Sequence, residues 1–82
     1  MNPIPAITPE LVAEIELLAS YNLANIGEGL KVHHNAQPAM REAVERLHAK
    51  GLLTKADGGY LTDGGIEAAE HVQTALAILA GA

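Results

Sequence analysis

Residues Leu47 to Ile66 limit the possible folds of this chain more than any other stretch. Gly51 follows a helical pattern and suits the left-handed cap that ends a helix, with Lys50 at the negative end of the helix dipole. Leu52-Leu53-Thr54-Lys55 then reads as a short strand. Asp57-Gly58 is a strong hairpin-turn signal, since both central residues of such a turn take positive φ. Tyr60-Leu61 returns as a second strand, Thr62 caps a new helix, and Asp63 lies in its first turn. The segment is therefore a helix end, a tight β-hairpin and a helix start.

The flanks add two more helices. Thr8-Pro9-Glu10 is a helix start, after an extended lead-in over Met1 to Ile7 whose Ile7 can staple back onto the helix. Leu11, Val12, Ile15, Leu18, Ala19 and Asn22 then share one face, and the helix is expected to end between Tyr21 and Ala24. Gly27 and Gly29 break the pattern. Leu30-Lys31-Val32-His33 alternates like a half-buried strand, with a helical turn over Ile26 to Leu30 as the alternative. Pro38 opens a second helix capped by Gln37 or Asn35, with Met40, Ala43, Val44 and Leu47 as its buried stripe. In the last helix the buried stripe is Ala68, Ala69, Val72, Ala75, Leu76 and Leu79. The expectation is a single domain over 1–82, mainly α with a small β-hairpin: three long helices plus a short two- or three-stranded sheet. Leu17, Ile66 and Ile78 fall off the stripes and point to a dimer interface, hence a homodimer.

Composition narrows the function. The 82 residues include no Cys, Phe or Trp and two Tyr, so the core must be aliphatic and Ala-rich, with little room for a pocket. Thiol chemistry and disulfides are excluded. The start has no secretory pattern, and the longest apolar run, Ala75 to Ala80, is far short of a bilayer span, which reads as cytoplasmic with no membrane partner. Ser20 is the one serine, inside a helix, and no catalytic constellation or phosphate loop stands out, so no enzyme, small-molecule substrate or cofactor is expected. No metal site is expected either. His33 and His34 would point to opposite faces of a strand, and His48 and His71 have no partner at i+4.

Net charge is −5, which opposes nucleic-acid binding on average. Yet all five cations, Lys31, Arg41, Arg46, Lys50 and Lys55, lie in one stretch with two acids, Glu42 and Glu45. With Gln37 near the start of the second helix, these cations are the candidate nucleic-acid-binding residues. Helical spacing puts Arg41 and His48 on one flank of that helix and Arg46 and Lys50 on the other. Glu42, Glu45 and Ala49 face outward, and Glu42 is spaced to pair with Arg46.

The order Arg46-Leu47-His48-Ala49-Lys50-Gly51-Leu52-Leu53-Thr54, then Asp57-Gly58-Gly59-Tyr60-Leu61-Thr62-Asp63-Gly64-Gly65, resembles the recognition-helix, wing and following-helix segment of winged-helix regulators of the MarR and PadR type. From Thr8-Pro9-Glu10-Leu11 through Lys31-Val32-His33-His34 to the hairpin, the chain is also similar to a small bacterial family of roughly 80-residue proteins described as DNA-binding and of unknown role. The resemblance implies a winged-helix-like fold and a transcription-regulatory, duplex-DNA-binding role. The chain departs from it in two ways: the wing tip, Ala56-Asp57-Gly58-Gly59, is acidic and small, and only Asn25 to Asn35 is left for the usual extra helix. The alternative is a homodimeric protein-interaction module on the same fold without DNA binding.

Overall fold

The computed structural model describes residues 4–81, so the first three residues of the expected lead-in lie outside the described residues. The elements run α1 (Pro9–Ser20), β1 (Leu30–Lys31), α2 (Pro38–Ala49), β2 (Leu53–Lys55), β3 (Gly58–Leu61) and α3 (Asp63–Leu79). The strands form one antiparallel sheet in the order β1-β3-β2. Three helices around a small three-stranded sheet make the mainly α, winged-helix-like arrangement expected.

The Thr8 hydroxyl accepts the Leu11 amide at 3.1 Å and fixes the start of α1, as its position before Pro9 requires. The buried face of α1 differs from the expected one. It carries Glu14, Leu17, Leu18 and Tyr21, spaced i, i+3, i+4 and i+7, whereas Val12 is exposed. Leu17 is 4% exposed and belongs to the core, so it is not a free interface residue. Glu14 shares this face because Arg46 and Lys50 meet it there, beside the core residues Leu17, Leu18 and Tyr21. Ile7 is 80% exposed and staples nothing.

The strand reading holds for Leu30–Lys31, with the Asn25–Glu28 turn before it and Val32 N–H donating to Asp57 O at 2.8 Å after it. In α2, Ala43, Val44 and Leu47 are buried and Met40 is partly so. Gln37 occupies the N-cap without a side-chain bond. Gly51 takes φ 79° and ends the helix.

The hairpin turn sits one residue earlier than expected. Its centre is Ala56-Asp57, and Asp57 does not take positive φ; Gly58 (127°) and Gly59 (74°) do. Leu53 faces Leu61 while Lys55 faces Gly58, a one-residue bulge that the two glycines absorb. Gly58 also lets β1 approach, since a Cβ there would stand 2.4 Å from Leu30 O.

Thr62 joins the two ends of this segment. Its hydroxyl accepts the Gly65 amide at 3.1 Å and donates to Gly51 O at 2.6 Å. Along α3, Ala69 is buried, while Ala68, Val72 and Ile66 are partly buried. The expected stripe stops there. The Gln73 amide donates to Leu18 O, Ala19 O and Tyr21 O (3.1, 3.4 and 2.8 Å), which satisfies carbonyls left free at the end of α1. From Thr74 to Gly81 every residue is exposed, because α3 has run past the elements that cover it. Ala75, Leu76 and Leu79 are therefore not core residues as the periodicity suggested.

Candidate functional site

Four of the five cations divide between two places, and Lys55 belongs to neither. Arg46 Nε donates to Glu14 Oε2 at 3.0 Å and Lys50 Nζ donates to Glu14 Oε1, so one carboxylate joins α1 to two turns of α2. Arg46 also donates to Glu10 O at 3.1 Å and takes Glu14 rather than the locally spaced Glu42. Burial alone pushes the Glu14 carboxyl up. The hydrogen bonds from Lys50 and Arg46, and their charges, outweigh it and hold the group below its usual value. Arg46 and Lys50 thus serve the fold.

Lys31 and Arg41 lie elsewhere, on a cleft of about 400 Å³ between β1, α2 and the hairpin tip. Its walls are Lys31, Val32, His33, His34, Arg41, Glu45, Ala56 and Asp57, and Val44 contributes from the core. This is more open space than an aromatic-poor composition suggests. Arg41 Nε donates to Ala36 O at 3.0 Å, which fixes the stem and leaves both terminal nitrogens of the guanidinium available. Lys55 is exposed, next to Ala56, and Gln37 is exposed, next to Ala36. Among the described residues, Lys31, Arg41 and Lys55 form no ion pair with an acid.

His33 and His34 line the same cleft because the strand ends at Lys31, so their expected separation onto opposite faces does not arise. Among the described residues no group of three or more His, Asp or Glu is arranged to hold a metal ion. Glu42, Glu45 and Ala49 occupy exposed positions of α2, as helical spacing indicated. The surface most open to a groove is therefore acidic, and the cations flank it.

A second feature is apolar. Leu76, Ile78 and Leu79 are 42%, 71% and 83% exposed, on a stretch from Val72 to Ala82 that contains no charged residue. Of the three expected interface residues, Ile78 lies on this free surface, Ile66 is half-buried and Leu17 is in the core. Leu76 and Leu79 were missed as interface candidates because they continue the core stripe. The readable signal was the loss of charge after His71. No helix among the described residues is long and apolar enough to cross a membrane.

Residues 5–80 match a family described as a family of unknown function (DUF5669). No curated protein and no solved structure matches the chain.

Proposed function

We propose that this chain, which belongs to the family of unknown function DUF5669, is a winged-helix-like interaction module that works as a pair of copies joined through the outer half of α3. One observation carries the reading: the apolar stripe that packs α3 onto the core continues through Ala75, Leu76 and Leu79 after its cover has ended. A run of exposed, uncharged aliphatic groups on a small domain marks an association surface. A second copy supplies a matching stripe, and two acidic chains meet most favourably where neither carries charge. Sedimentation velocity over a concentration series tests this. The wild type should sediment as a dimer, and Leu76→Asp with Leu79→Asp as a folded monomer. A wild type that stays monomeric at the highest attainable concentration overturns the reading.

A second reading, contact with duplex DNA, is favoured by one observation: among the described residues Lys31, Arg41 and Lys55 form no ion pair, with Lys31 and Arg41 on the cleft and Lys55 next to Ala56 at the hairpin. Three cations per copy, with Glu45 and Asp57 among them, suit a few phosphate contacts rather than base reading. Fluorescence anisotropy on random duplexes should then give a log–log salt slope no steeper than about −5 for a pair of copies, at about −0.9 per phosphate. Absence of binding at low salt removes this reading.

A further inference from the structure

We infer that the cleft between β1, α2 and the hairpin tip is a binding site for a small phosphomonoester that carries hydroxyl groups. The inference goes beyond the proposed pairing. The cleft is built within one copy, so monomer or dimer makes no difference to the test.

Four observations carry it. The cleft holds about 400 Å³, against about 100 Å³ for the concavity between Glu10, Ala39 and Arg46, and lies in the size range of small-ligand sites. Arg41 is held by Ala36 O, so its fork is already in place, and among the described residues it lacks a carboxylate partner. Lys31, His33 and His34 line the same space, which brings four residues with donor side chains to one cleft. That number suits the three terminal oxygens of a phosphate better than the two of a carboxylate. Finally, Glu45 and Asp57 share the cleft. An anion alone would be repelled by them, whereas a ligand with hydroxyl donors beside its phosphate uses both signs.

The test is an amide-resolved NMR titration of the full chain with inorganic phosphate, glucose 6-phosphate, glucose and a short DNA duplex. Glucose 6-phosphate should give saturable shifts at Lys31 to His34, Arg41 and Asp57, and should bind more tightly than inorganic phosphate, with glucose inert. Arg41→Gln should weaken binding about tenfold or more. Lys31→Gln, at an exposed position, should weaken it as well and guards against a folding defect at Ala36. Glu45→Gln and Asp57→Asn should reduce the preference for glucose 6-phosphate, because they remove acceptors for its hydroxyl groups and strengthen inorganic phosphate binding by lifting the repulsion. The absence of saturable shifts at these amides overturns the inference, as does binding that Arg41→Gln and Lys31→Gln leave unchanged. Equal affinity for the two phosphates overturns the hydroxyl part. Shifts with the duplex but not with glucose 6-phosphate assign the cleft to a polymer backbone and overturn the small ligand.

Discussion

Gly64 and Gly65 are neighbours in the first turn of α3, yet they have opposite requirements. A Cβ on Gly65 would stand 2.0 Å from Leu52 O, a carbonyl that already accepts Thr62 N–H at 3.1 Å and has nowhere to move. On Gly64 it would meet Leu52 Cδ2 at 3.5 Å, an ordinary contact. Gly65→Ala should therefore destabilise the fold by about 2–4 kcal/mol. Gly64→Ala should stabilise it by about 0.5–1 kcal/mol through the helix propensity of Ala. Urea melts of the two variants check both signs. Glu14 gives a second test. Because its carboxyl sits below its usual pKa, its stabilisation is complete above the ordinary carboxylate value and is lost as pH falls through the lower folded-state value. Glu14→Gln should cost about 1–2 kcal/mol near neutral pH, a moderate figure because Arg46 and Lys50 remain partly in water. Melts in acid should show the gap to wild type closing.

At the scale of elements, the helix starts and the hairpin were legible because each rests on local chemistry. Thr8 and Thr62 cap, Pro9 and Pro38 open helices, and Gly51 closes one. The turn was misplaced by one residue because Asp57-Gly58 is followed by a second glycine, and the pair takes up the left-handed backbone instead. The face of α1 was misread for a different reason. Glu14 looks like a solvent residue until Arg46 and Lys50, 32 and 36 residues away, are seen to meet it. In α3 the periodicity gave the correct face but not its cover, since spacing cannot show where a neighbouring element ends. The cleft was hidden likewise, because it joins residues of three elements and follows no motif. Thr62 lets one element be tested through another. Thr62→Ala should cost about 1–2 kcal/mol, by removing the cap of α3 and the link to Gly51 O together, and Thr62→Ser should restore most of it. Thermal unfolding of both variants measures the difference.

For the whole molecule, charge and apolar surface are separated. Arg46 and Lys50 brace α1 against α2, the free cations gather by the hairpin, and the charge-free end of α3 projects away from the α1 terminus. A domain that pairs through that end gains stability by mass action. The melting temperature of the wild type should therefore rise with protein concentration, and that of the Leu76→Asp and Leu79→Asp double variant should not, as calorimetry at several concentrations would show.

The Gln73 amide also dictates timing. It reaches carbonyls 52 to 55 residues earlier in the chain, so the end of α1 gains these partners only once α3 has docked. Closing so long a loop before the reward arrives slows folding and ties the two ends of the sequence into one cooperative event. A ribosome emits this chain from the α1 end. The end of α1 therefore waits for α3, and the domain completes its native contacts only after α3 has left the ribosome.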